Sequence, residues 1–161
     1  PDLAAWIDAP GLPDSAPVVP SDALDRVASA ARAWAEGKTD EKALDTRDWT
    51  THHWLHFLRS MPERLSAAQM ARLDAAFGFT KTGNTEILDE WLVLAVRHGY
   101  KEADARMEEF LTSMGRRKYL TPVYKELMKT EEGAARARAI YAKAWPLYHT
   151  IARQTLDEIV K

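Results

Sequence analysis

The sequence predicts an all-α domain, and three observations predict it. Apolar residues recur at the 3.6-residue spacing of helices in about eight or nine short stretches. Capping residues and helix breakers separate those stretches, and the connections are short enough to favour antiparallel neighbours. No segment shows the alternation and hairpin turns of strands. From Ser66 onward the helices recur at fairly even intervals, the rhythm of a stacked helix-pair solenoid, although no residue signature repeats. With 161 residues, one domain able to bury a real core is the default.

The first twenty residues read as an extended leading segment, because Pro1, Pro10, Pro13, Pro17 and Pro20 exclude a long helix. A short helix over Leu3 to Asp8 has Trp6 and Ile7 as its apolar anchors. The helical domain proper covers residues 21–161. Ser21 is placed to cap a helix running to about Glu36, with Asp22 in its first turn and Leu24, Val27, Ala28, Ala31 and Trp34 or Ala35 inward. Gly37 ends it, and one turn fits around Glu41 to Leu44. Thr50 to Ser60 follows, with Trp54, Leu55 and Leu58 inward, before Pro62 breaks the pattern.

Ser66 and Gln69 form a capping box, and Met70, Leu73 and Phe77 share a face up to Gly78. Asn84 caps the next helix, whose broad stripe of Ile87, Leu88, Trp91, Leu92, Leu94 and Ala95 predicts burial on more than one side. Glu102 to Met114 has Met107, Phe110, Leu111 and Met114 at i, i+3, i+4, i+7. Thr121 and Pro122 read as cap and first-turn proline of a helix to about Met128. Gly133 to Ala144 buries Ala137, Ile140, Tyr141 and Ala144, and Pro146 ends or kinks it. The last helix covers Leu147 to Lys161, with Ala152, Leu156, Ile159 and Val160 inward.

Net charge is -2, so neither nucleic acid nor an anionic membrane is expected as a partner. There is no cysteine, which excludes disulfides and thiolate metal sites. No apolar run reaches the roughly 18 residues of a membrane span. No signal peptide is visible; the sequence leaves the compartment open, with the cytoplasm slightly favoured. The chain begins at Pro1 rather than Met, which fits a piece of a longer protein and is compatible with a signal upstream.

His52, His53 and His56 invite a metal reading, since His52 and His56 share a helix face. A zinc-protease helix has glutamate where His53 stands, and no third ligand is evident, so a polar helix face is the favoured reading. Glu86 and Glu90 also share a face and could raise each other's pKa, but a solvated pair is commoner. No catalytic residue and no metal ligand is assigned. The tryptophans read mostly as core anchors.

The stretch that stands out is Gly115 to Thr121, with three consecutive cations, Arg116, Arg117 and Lys118, in a near-neutral chain. One reading is that they complement the negative end of the preceding helix, worth about 0.3–1 kcal/mol each. The other is an anion site. In an extended loop, alternate residues point the same way, so Arg116 and Lys118 would converge while Arg117 faces elsewhere. A helix starting at Thr121 would add free N–H groups. Both readings stand on the residues alone.

At this stretch the chain resembles a known family. Gly115-Arg116-Arg117-Lys118-Tyr119, then Pro122-Val123-Tyr124-Lys125-Glu126-Leu127, resembles the C-terminal domain of leukotriene A4 hydrolase-like zinc aminopeptidases. Trp6 with Pro10-Gly11-Leu12-Pro13, Phe57-Leu58, Phe79 with Asn84-Thr85-Glu86-Ile87, and Trp91-Leu92 extend the likeness. Tyr141 and Pro146 continue it, with Trp145 where the family usually has histidine. The resemblance implies a two-layer right-handed superhelix like armadillo or HEAT repeats, closing one side of an active-site cleft. It implies partner domains in the same polypeptide, an N-terminal β domain and a catalytic domain that holds zinc. It further implies that Arg116 and Lys118 bind the terminal carboxylate of a peptide substrate. Arg117 departs from the usual apolar residue there and is a possible accessory. On this reading the chain by itself hydrolyses nothing. The rival readings are a free-standing helical-repeat scaffold for protein interaction and a phosphate- or nucleic-acid-binding module.

Overall fold

A computed structural model describes residues 3–17 and 21–160, and its regular structure among those residues is entirely helical. The helices are α1 (Leu3–Ile7), α2 (Ala23–Ala35), α3 (Thr51–Arg59), α4 (Ala67–Phe77), α5 (Thr85–Arg97), α6 (Asp104–Ser113), α7 (Arg117–Leu127), α8 (Glu131–Ala144) and α9 (Thr150–Val160). Short 3-10 turns at Glu41–Ala43, Phe79–Lys81, Lys101–Ala103 and Trp145–Leu147 join some of them. Pro1, Pro20 and Lys161 lie outside the described residues.

The packing order is that of stacked helix pairs. α3 lies on α5, α5 on α7 and α7 on α9, which makes one layer; α6 on α8 makes the other; α2 closes the start against α3. Each helix of a layer therefore meets the one two places along the chain, so every pair buries its apolar face on the next. Phe57, Leu58, Trp91, Leu92, Leu111, Leu120, Tyr124 and Leu156 are fully buried along this stack. No helix among the described residues is long and apolar enough to cross a membrane.

Local chemistry sets many of the boundaries. Ser66 Oγ accepts from Gln69 N at 3.2 Å while Gln69 Oε1 accepts from Ser66 N at 3.0 Å, so the capping box is formed. Asn84 Oδ1 accepts from Glu86 N and Ile87 N, and Thr130 Oγ1 accepts from Gly133 N. Gly78 ends α4 at φ 66°, a left-handed position that costs glycine nothing. Gly133 is needed for a different reason. A Cβ there would lie 2.2 Å from the Leu127 carbonyl oxygen, so the corner between α7 and α8 closes on a residue without a side chain.

Several expectations are corrected. Asp22 rather than Ser21 is the N-cap of α2; its side chain pairs instead with Arg26 at 2.6 Å. Leu24 and the α1 residues Trp6 and Ile7 are exposed, and no residue of α1 is buried. Trp145 is also exposed, with the Arg153 guanidinium 4.2 Å from its ring centroid. Phe57, not among the expected inward residues, is fully buried.

The largest correction concerns α7. It starts at Arg117, four residues before Thr121, and Pro122 lies inside it. An interior proline forfeits one backbone hydrogen bond and crowds the preceding turn. Burial outweighs that loss, because starting the helix early places Tyr119 and Leu120 on the same inward face as Val123, Tyr124 and Leu127.

Candidate functional site

The three cations stand where α7 begins. Arg116 is its N-cap, with extended backbone, and Arg117 and Lys118 are its first two residues. The side chain of Arg116 caps nothing, and the first turn contains no acid. The end of α7 therefore presents uncapped N–H groups and the positive end of the helix dipole. Arg117 and Lys118 belong to a helix start, where cations are unfavourable, so stabilising their own helix does not explain them.

The expected loop geometry is replaced by a helical one. Arg116 and Lys118 do not converge by alternating along a strand-like segment. They converge on one ring instead. The Arg116 guanidinium carbon lies 5.5 Å from the Tyr119 ring centroid, and Lys118 Nζ lies 5.1 Å from it. Tyr119 is buried and both cations are exposed, so the ring is a fixed floor beneath two solvent-facing charges. Neither Arg116 nor Arg117 pairs with a carboxylate among the described residues.

Lys118 does have a partner. Its ammonium donates to Glu86 Oε1 on α5, the oxygen that also accepts from the Tyr119 hydroxyl at 2.7 Å. These two hydrogen bonds hold the Glu86 carboxyl below its ordinary range and raise Lys118 and Tyr119. Glu90, one turn on, accepts from Arg59 Nε at 2.6 Å. Glu86 and Glu90 are thus each tied to a different cation rather than to a shared proton.

The carboxyl that is raised lies between them. Asp89 is pushed from its ordinary 3.8 to about 7, first by burial and then by the charges of Glu90 and Glu86, against the opposing pull of Lys118 and Arg59. Its Oδ1 is buried without a hydrogen-bond partner among the described residues. The folded chain keeps this proton up to about pH 7, whereas the unfolded chain releases it near 4. Stability contributed by this group therefore falls as pH rises through that window and stays low above it. Asp89→Asn is expected to stabilise the chain by about 1–2 kcal/mol at pH 8, after allowance for solvent screening, and to change little at pH 4. Thermal melts at the two pH values check this; an equal effect at both would remove carboxyl burial as the cause.

Two of the histidines, His53 and His98, serve the fold. His53 Nδ1 accepts from Thr50 N at 3.1 Å and closes the cap of α3, and His98 Nδ1 accepts from Leu65 N at 3.2 Å. No group of three His, Asp or Glu side chains among the described residues is disposed to hold a metal ion.

Comparison with known proteins adds a separate line of observation. A family model described as Leukotriene A4 hydrolase, C-terminal, matches residues 49–160. Leucine aminopeptidase 2 of Ajellomyces capsulatus is 28% identical over 158 residues, which cover 94% of this chain and 25% of that protein. Aminopeptidase B of Mus musculus is 26% identical over 137 residues, covering 80% of this chain and 21% of that one. Among solved structures, native yeast LTA4 hydrolase superposes with a TM-score of 0.75 at 19% identity, covering 99% of this chain and 29% of that chain. At that identity the structural likeness speaks to the fold alone. The chain spans about a quarter of the length of the curated relatives it matches.

Proposed function

The chain belongs to the leukotriene A4 hydrolase C-terminal family, and from that premise we propose that it is the helical C-terminal domain of a zinc aminopeptidase. In this reading it closes one side of the active-site cleft, and Arg116 and Lys118 hold the free carboxylate at the end of a peptide substrate. Arg117 adds to the local positive field without a direct contact.

The observation that supports this reading is the placement of the cations. They gather at an uncapped helix start, where they work against the helix dipole, and two of them share one buried ring. Such a cost is offset when an anion arrives, because the dipole, the free N–H groups and both cations then act on it together. Guanidinium supplies a planar fork that matches a carboxylate, and ammonium adds a point charge beside it.

No metal site is formed among the described residues, and in this proposal the zinc of the enzyme is held by another domain. The role assigned here is orientation. A clamp on the distant carboxylate fixes where the scissile bond lies, so binding energy remote from the reaction is used to position the reacting atoms. The test compares a tripeptide with its C-terminal amide, using the full polypeptide that contains this chain. The acid is expected to be favoured in kcat/KM by at least about tenfold, the worth of one charge-assisted hydrogen bond. Equal handling of acid and amide would refute the clamp.

A further inference from the structure

We propose that Glu86 and Tyr119 are positioning residues for the carboxylate grip: Glu86, itself held by the Tyr119 hydroxyl, fixes the Lys118 ammonium over the Tyr119 ring beside Arg116. The proposal rests on the carboxylate-binding reading above and adds residues to which that reading gives no role.

The geometry carries it through three links. The first is a rigid base. Tyr119 is buried to 6% exposure, and α7 packs closely on α5, whose Ile87, Leu88 and Trp91 are also buried. The phenol is therefore a fixed point, and its hydroxyl donates to Glu86 Oε1 at 2.7 Å. The second link is a single shared atom. The oxygen that accepts from Tyr119 also accepts from Lys118, so fixing the carboxylate fixes the ammonium. The third is the ring itself, which lies under both cations.

Magnitudes separate this role from simple stabilisation. The Lys118–Glu86 pair is largely exposed, at 58% and 35%, and an exposed ion pair contributes little to folding. A free lysine side chain, however, loses considerable rotamer entropy when it is immobilised on a ligand. A lysine already held in place has lost most of that entropy before the substrate arrives. Glu86 accordingly trades some of the charge of Lys118 for order. The alternative is that Glu86 is only a competitor for the ammonium, and the two ideas predict opposite signs.

The experiment measures the acid-over-amide ratio in the full polypeptide for wild type, Glu86→Ala, Glu86→Gln and Tyr119→Phe. Glu86→Ala is expected to lower the ratio about three- to tenfold, through a raised KM for the acid, as loss of one or two hydrogen bonds would. Glu86→Gln keeps an oxygen acceptor for both donors and is expected to retain most of the preference. Tyr119→Phe preserves the buried ring, removes only the hydroxyl, and is expected to fall between the two. A Glu86→Ala variant with an unchanged or increased ratio overturns the inference while leaving the clamp intact. A Gln variant as impaired as the Ala variant also overturns it, because charge rather than position would then be what matters. A wild type without any acid preference removes the clamp, and this inference with it.

Discussion

Replacing Arg116 with alanine in the full polypeptide is expected to lower kcat/KM on peptide acids about 30- to 1,000-fold, the range for truncating one partner of a desolvated charge pair. The size follows from the surroundings of the side chain. Arg116 has no carboxylate partner among the described residues and lies against the Tyr119 ring, whereas Lys118 is already engaged by Glu86. On the proposed reading, an incoming carboxylate would meet the full charge of the first and a shared charge of the second. Arg116→Lys is expected to recover only part of the loss, since an ammonium cannot reproduce the guanidinium fork. Steady-state kinetics on a peptide acid and its amide check both statements. If Arg116→Ala impairs acid and amide alike, its effect comes from something other than a carboxylate contact.

Trp91→Ala is expected to destabilise the chain by about 3–5 kcal/mol, the usual cost of emptying a large buried aromatic site. Trp91 is fully buried in the middle of α5, and α5 packs on both α3 and α7. Its ring lies 5.1 Å from Phe79 and 5.7 Å from Tyr100, and its Nε1 donates to Thr80 Oγ1 at 2.9 Å. Thr80 in turn donates to Asp74 through its hydroxyl at 2.7 Å and its N–H at 2.8 Å, and Tyr100 donates to the same carboxylate at 3.1 Å. One indole thus sits within an aromatic row, between Phe79 and Tyr100, and steadies a polar network that closes the turn between α4 and α5. Trp91→Phe, which keeps a ring but loses the donor, is expected to cost less than the alanine variant. Denaturant unfolding followed by circular dichroism separates the two; a near-wild-type midpoint for Trp91→Ala would mean that the site repacks around the loss.

The helical class, the order of elements and most boundaries were legible because each rests on local chemistry. Ser66 with Gln69, Asn84 before its apolar stripe, and Gly78 after Phe77 act within a few residues of themselves, and the structure uses all three as their spacing suggests. The start of α7 was not legible in the same way. Thr121 and Pro122 make a strong local signal for a helix start, yet Tyr119 and Leu120 already follow the helical period of Val123 and Leu127, and that longer pattern prevails. The exposed Trp6 and Trp145 mislead for a related reason. Size and hydrophobicity identify a residue able to anchor a core, but not whether a core lies beside it.

At the candidate site the same division holds. By itself the sequence determined that Arg116, Arg117 and Lys118 stand together after a glycine, and that Glu86 and Asp89 belong to a separate helix beginning at Asn84. Only the tertiary structure decided that α5 lies against α7, which brings Glu86 to Lys118 and Tyr119 and leaves Asp89 half-buried between two other acids. The physical reason is range. Caps and periodicity are settled by neighbours a turn away, whereas the partner of a charge 32 residues distant is chosen by how apolar faces stack, and the charges take the places that stacking leaves them.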